Sequence, residues 1–160
     1  MSEIIPGLYL GNENDSKNVN KYDIIVNCTP NLKFYSNKPN IRIPVNDNGD
    51  PREVEKFYNI ISDLQILQYV DNELKNNKKI LIHCRMGQQR SAAFVATYLI
   101  YKYQIHPVNI IEYIKSKKSD AFLMGVNFSN AINHFYNLRN QSDPIVTPYT
   151  SSFYTKYQPK

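Results

Sequence analysis

Residues 79–83 form an apolar run of strand length. It ends in a polar, glycine-containing loop at residues 84–90, and from Ser91 to Tyr103 small and apolar residues occupy nearly every position. A strand that passes through a tight loop into a helix apolar on all sides needs a sheet with that helix packed on it, which sets an α/β architecture. Other segments agree. Residues 24–27 and 41–45 are β-branched runs, and residues 8–10, ending at Gly11, are a shorter candidate strand. Pro6-Gly7, Thr29-Pro30-Asn31 and the segment 46–51 supply turn chemistry between them.

Between the second and third strong strands, Phe57, Ile60, Ile61, Leu64, Leu67, Val70 and Leu74 recur at three- and four-residue steps, which predicts one long amphipathic helix. Pro107 opens a further helix and residues 127–138 make a last one. Strands alternating with helices predict a single domain with a central, largely parallel twisted sheet flanked by helices. The domain is expected to span residues 1–141. From 142 to 160, Pro144, Pro148, Pro159 and many Ser, Thr and Tyr replace the periodic pattern, so a flexible or surface-docked tail is expected there.

Nineteen Lys and Arg against 14 Asp and Glu give a net charge of +5, which favours anionic ligands without specifying one. The two cysteines, Cys28 and Cys84, make no disulfide framework, and no Cys/His cluster has zinc-ligand spacing, so no metal is expected. Cys28 reads as a buried strand cysteine, and as a redox partner of Cys84 only if the sulfurs approach. Residues 1–6 lack a basic region followed by an apolar run, and no 18-residue apolar stretch occurs. A cytoplasmic location, extending to the nucleus, is the expectation, with no membrane partner.

The loop after residue 83 carries the chemistry. Strand, tight loop and helix aim successive backbone N–H groups and a helix N-terminus at one point, a site for phosphate or another oxyanion. Its wall is Arg85, Met86, Gly87, Gln88, Gln89 and Arg90. Gly87 permits the curl, and Arg90 can reach across with a bidentate fork. Cys84 is a nucleophile if its thiolate is stabilised; moving a thiol from about 8.5 to about 5 takes about 5 kcal/mol. An acid must come from another loop. Asp47 leads because it follows the strand at 41–45, with Asp50 competing. His106, His134 and the basic run Lys115, Lys117 and Lys118 read as structural or solvated groups.

His83-Cys84 followed by Gly87, Arg90 and Ser91 resembles the signature of the protein tyrosine phosphatase superfamily, and the small dual-specificity phosphatases match best. Gly7-Leu8-Tyr9-Leu10-Gly11, Ile25-Val26-Asn27-Cys28-Thr29 and Ile43-Pro44-Val45-Asn46-Asp47-Asn48 resemble that family's first strands and general-acid loop. The resemblance implies Cys84 as nucleophile, Arg90 as phosphate clamp and Asp47 as general acid. It implies that Ser91 hydrogen bonds the sulfur during phosphocysteine breakdown, and that His83 tunes the loop without moving the proton. An aromatic about ten residues after the acid, here Phe57, favours Asp47 over Asp50. No cofactor is implied. Met86 stands where the family pattern has Ala, and Arg85, Gln88 and Gln89 make the loop polar and basic, so these positions are expected to bias substrate choice.

The expected activity is therefore hydrolysis of phosphotyrosine and of phosphoserine or phosphothreonine in phosphorylated proteins through a phosphocysteine. The alternatives are an RNA 5′-triphosphatase or a phosphoinositide phosphatase using the same mechanism, or a module that binds phosphoproteins without turnover. Nucleic acid enters only through the RNA alternative, since the chain lacks interleaved basic and aromatic RNA-binding signatures.

Overall fold

The computed structural model describes residues 1–140; the tail expected at 142–160 lies outside the described residues. Five strands form one mixed sheet: β1 (Ser2–Ile5), β2 (Leu8–Gly11), β3 (Ile24–Asn27), β4 (Asn40–Arg42) and β5 (Ile80–His83), in spatial order β1-β2-β5-β3-β4. The pairs β2–β5, β5–β3 and β3–β4 are parallel, and β1 joins β2 antiparallel. Five helices follow: α1 (Pro51–Ser62), α2 (Gln65–Lys75), α3 (Arg90–Tyr103), α4 (Pro107–Lys117) and α5 (Ser129–Arg139). The largely parallel α/β fold is as expected from the sequence. No helix among the described residues is long and apolar enough to cross a membrane.

Alternation along the strands divides the core. Leu8, Leu10, Ile24, Val26, Ile80 and Ile82 face a large cluster to which all five helices contribute, whereas Ile25 and Leu81 face a small one with Tyr22, Tyr9 and Phe34. Helix α3 is central to the large cluster, buried from Ser91 to Ile100. Burying a residue of Leu or Ile size stabilises by about 1.5–3 kcal/mol, so α3 is fixed by its surroundings rather than by propensity. The sheet and α3 together make a rigid mount for the loop between them.

Three expectations are corrected. The stripe from Phe57 to Leu74 is two helices rather than one. Asp63 leaves helical backbone at ψ 100°, and its carboxylate accepts a hydrogen bond from the Gln65 N–H at 3.2 Å, which starts α2 afresh. The strand expected at 41–45 closes at Arg42. The Ile43 N–H still reaches the Asn27 carbonyl (2.9 Å), but the Val45 N–H turns back to the Ile43 carbonyl (2.9 Å), so the chain curls off the sheet edge toward Asp47. Lys118 is no solvated helix end: it is 9% exposed and its ammonium pairs with Asp120. Strand β1 had no counterpart among the expected elements.

Candidate active site

The parallel strands direct their C-terminal ends to one edge of the sheet, and four chain segments meet there. Gly11 ends β2, Cys28 follows β3, the loop holding Asp47 follows β4, and Cys84 follows β5. Asp47, Cys84, Arg85, Met86, Gln88, Gln89 and Arg90 line a cavity of about 310 Å³. Every site residue expected from the sequence lines this cavity or backs it, except Asp50. That carboxylate caps α1 by accepting from the Arg52 N–H (2.9 Å) and pairs with the Arg52 guanidinium, so it serves helix initiation.

Gly87 makes the curl. Its φ is +72°, and a Cβ there would lie 2.6 Å from the Gly11 carbonyl oxygen. A side chain is excluded by both conformation and space. The Glu13 N–H donates to the Arg85 carbonyl (3.1 Å), so the residues after β2 buttress the loop. The Gln89 side chain does not cap α3, which leaves the leading N–H groups of the helix to the Cys84 sulfur and an anion.

Cys84 is 2% exposed, and its Sγ lies 3.2 Å from the Ser91 Oγ. Burial pushes the thiol pKa up, and this is the largest single influence. The Ser91 hydroxyl and N–H, the charge of Arg90 and the Gly87 N–H outweigh it together and bring the thiol below its ordinary value. Cys28 shows the opposite balance. Burial drives its thiol well up, the charge of Cys84 adds to this, and Arg90 only partly opposes it, so Cys28 is a protonated core thiol. Both cysteines are free.

His83 is buried, and its Nδ1 lies 3.3 Å from the Cys84 carbonyl oxygen, which can only accept; Nδ1 therefore carries the hydrogen. Burial lowers the pKa of this imidazole more than its neighbours raise it, so the ring is held neutral. A neutral ring at that place steers the loop backbone.

Arg90 spends one donor on the scaffold. Its Nη1 donates to the Val45 carbonyl at 3.0 Å, which ties the start of α3 to the chain two residues before Asp47 and leaves its remaining N–H groups for an anion. Asp47 itself is exposed. Its two carboxylate oxygens accept from the Asn127 side-chain amide at 2.9 and 3.2 Å. Phe57, the aromatic ten residues on, is fully buried edge-on against Phe128, with ring centroids 5.2 Å apart. This packs α1 against the residue after Asn127.

Gln88 and Gln89 have side chains engaged with the segment 118–127. Gln88 reaches the Asp120 carboxylate, while the buried Gln89 donates to the Leu123 and Gly125 carbonyls and accepts from the Asn127 N–H. Any hold of theirs on a phosphate falls to their backbone N–H groups. Arg85 and Met86 face solvent, Met86 at 60% exposure. Asn127 is the functional candidate that sequence reasoning missed: placed before α5, it reads as the start of a helix. A larger groove of about 590 Å³ between α1 and α5 includes Asn127 but holds no nucleophile.

The arrangement can hold a tetrahedral anion against a low-pKa sulfur, with a carboxyl group on a separate loop across the opening. Comparison with known proteins agrees with this geometry. Residues 8–138 match the family model for the dual-specificity phosphatase catalytic domain. Human dual specificity protein phosphatase 9 is 30% identical over 127 residues, which cover 74% of this chain and 32% of that protein. A putative tyrosine phosphatase of Invertebrate iridescent virus 3 is 35% identical over 95 residues, covering 58% of this chain and 38% of that one. The chain thus spans about a third of the length of these relatives. Among solved structures, human DUSP28 has the same fold at TM-score 0.72 and 16% identity, with 89% of this chain and 99% of that chain covered. The human tyrosine phosphatase-like serine/threonine/tyrosine-interacting protein follows at TM-score 0.69 and 19% identity, covering 87% and 97%.

Proposed function

This chain belongs to the dual-specificity phosphatase family, and from that membership we propose that it is a cysteine-dependent protein phosphatase acting on phosphotyrosine and on phosphoserine or phosphothreonine. The observation that carries the reading is the Cys84 sulfur, acidified by Ser91, Arg90 and the loop N–H groups at the base of an anion cradle.

In the first step the Cys84 thiolate attacks phosphorus in line. The S–P bond forms, the P–O bond to the substrate side chain breaks, and the departing oxygen takes a proton from Asp47. Arg90 and the backbone N–H groups of residues 85–90 hold the equatorial oxygens, whose charge grows toward the transition state. In the second step Asp47, now a carboxylate, takes a proton from water as that water attacks phosphorus. The sulfur leaves as a thiolate, and the Ser91 hydroxyl at 3.2 Å hydrogen bonds the charge returning to it. His83 keeps the Cys84 carbonyl in place and transfers no proton.

An opening rimmed by the exposed Met86 and Arg85 supports use of more than one phosphoresidue. Arg85 favours a second reading, a polyanionic substrate such as a 5′-triphosphate or an inositol phosphate, because among the described residues its one ion pair is to Glu13 at 3.9 Å. The test is a panel of phosphopeptides, triphosphate-ended RNA and inositol phosphates, assayed with wild type and Cys84→Ser. Phosphopeptide turnover that Cys84→Ser abolishes is expected. Faster turnover of either polyanion would replace the protein-phosphatase reading, and activity surviving Cys84→Ser would end the mechanism.

A further inference from the structure

We infer that Asn127 is a positioning residue for the general acid, braced by Gln89 from within the phosphate loop; this rests on the reading of Asp47 as that acid. Among the described residues, hydrogen bonds to the Asp47 carboxylate come from Asn127 alone. The loop that carries Asp47 is exposed and turns through Gly49 at φ +79°. Without an external brace its carboxyl would sample several rotamers.

The brace is traceable atom by atom. The Asn127 Nδ2 donates to both oxygens of Asp47. The Asn127 backbone N–H donates to the Gln89 Oε1 at 3.0 Å. The Gln89 Nε2 donates to the carbonyls of Leu123 (3.1 Å) and Gly125 (2.8 Å). A backbone N–H requires an acceptor and two carbonyls require a donor, so one orientation of the Gln89 amide satisfies all three. Gln89 is 8% exposed and immediately precedes Arg90. Phe128, beside Asn127, is locked on Phe57 of α1, the helix that follows the acid loop. The cradle, the acid loop and the start of α5 are therefore joined through one asparagine.

An amide suits this place because the acid must work in two charge states. When Asp47 is protonated, Nδ2–H holds the unprotonated oxygen and turns the O–H toward the leaving group. When Asp47 is ionised, the same donor steadies the carboxylate that receives the proton from water. A lysine here would hold the carboxyl ionised and remove the acid; a second carboxylate would repel it. Losing the amide costs orientation in both charge states.

The test is a leaving-group series, from activated aryl phosphates to phenyl and alkyl phosphates, run on wild type, Asn127→Ala, Asn127→Asp, Asp47→Asn and the Asp47→Asn/Asn127→Ala pair. For Asn127→Ala, kcat/KM, which reports the step in which the leaving group departs, should fall about tenfold on poor leaving groups and little on activated ones. Asn127→Asp, nearly isosteric but with no side-chain N–H to offer, should show the same dependence on leaving group, which keeps the test valid should the alanine variant not fold. In the Asp47→Asn background, Asn127→Ala should add almost nothing. If Asp47→Asn itself lowers all leaving groups equally, the acid assignment fails. If Asp47→Asn shows the leaving-group dependence but Asn127→Ala lowers every substrate equally, or adds its full effect to Asp47→Asn, the positioning role of Asn127 is overturned.

Discussion

Removing the Ser91 hydroxyl tests how the cradle makes a nucleophile. The Ser91 Oγ lies 3.2 Å from the Cys84 Sγ, with Ser91 fully buried and Cys84 2% exposed, so no solvent takes the place of a lost hydroxyl. A hydrogen bond to a charged group contributes about 1.5–3 kcal/mol, and one pKa unit corresponds to about 1.36 kcal/mol. Ser91→Ala should therefore raise the Cys84 pKa by about 1–2 units, since the Ser91 and Gly87 N–H groups and Arg90 all remain. The assay is the pH dependence of alkylation by iodoacetamide, whose midpoint follows the thiolate. That midpoint should move up by about 1–2 units, and the acid limb of kcat/KM should move with it. The sulfur also becomes a poorer leaving group, so rapid mixing with an aryl phosphate should reveal a burst of released phenol. A midpoint that stays where it was would refute the account of Cys84 acidity, whatever happened to turnover.

Three further outcomes are expected. Gly87→Ala should abolish binding of vanadate, measured by competition, because the new Cβ meets the Gly11 carbonyl at 2.6 Å and a left-handed conformation adds about 1–2 kcal/mol of strain; wild-type affinity would contradict the packing. Asp71 feels a burial penalty that hydrogen bonds from Lys75, Lys102 and Tyr98 outweigh, holding it at about 2. Its contribution is present above the unfolded carboxylate pKa of about 3.9 and is lost as pH falls toward 2. Asp71→Asn should cost about 1–2 kcal/mol in urea unfolding at pH 7, with the difference from wild type closing in acid. Burial keeps His83 neutral, so the unfolded chain binds the extra proton as pH falls below about 6.5. Stability should decline there in wild type, and His83→Gln should flatten that decline in denaturation curves taken between pH 5 and 7.

The strand, loop and helix around Cys84 were legible because each is a local pattern: an apolar run, a glycine at a curl and a run of small and apolar residues. The break between α1 and α2 was not, because the apolar stripe continues in phase through it and only the Asp63 carboxylate marks it. Strand β1 was missed although Pro6-Gly7 signalled its turn, since its inward residues Ile4 and Ile5 are adjacent at an irregular register with β2 and do not alternate. At the site, the residue types of the cradle could be read directly. The partnership of Asn127 with Asp47 could not, because it joins side chains 80 positions apart and leaves no periodic trace. Two left-handed residues that are not glycine, Phe122 and Met124, shape the segment before Asn127, and nothing in their chemistry forecasts that conformation.

The contact between Gly87 and Gly11 bears on the order in which the cradle is assembled. The loop after β5 is short, yet its floor is the backbone at the end of β2, adjacent in the sheet but distant in sequence. Such a site carries a high loop-closure cost and completes only once the β2–β5 register is set. A folding chain therefore passes through states with a thiol but no cradle, in which Cys84 is an ordinary, weakly nucleophilic cysteine. Loosening the β2–β5 register would disable the cradle before the rest of the fold gave way, so anion binding would disappear ahead of the global unfolding signal.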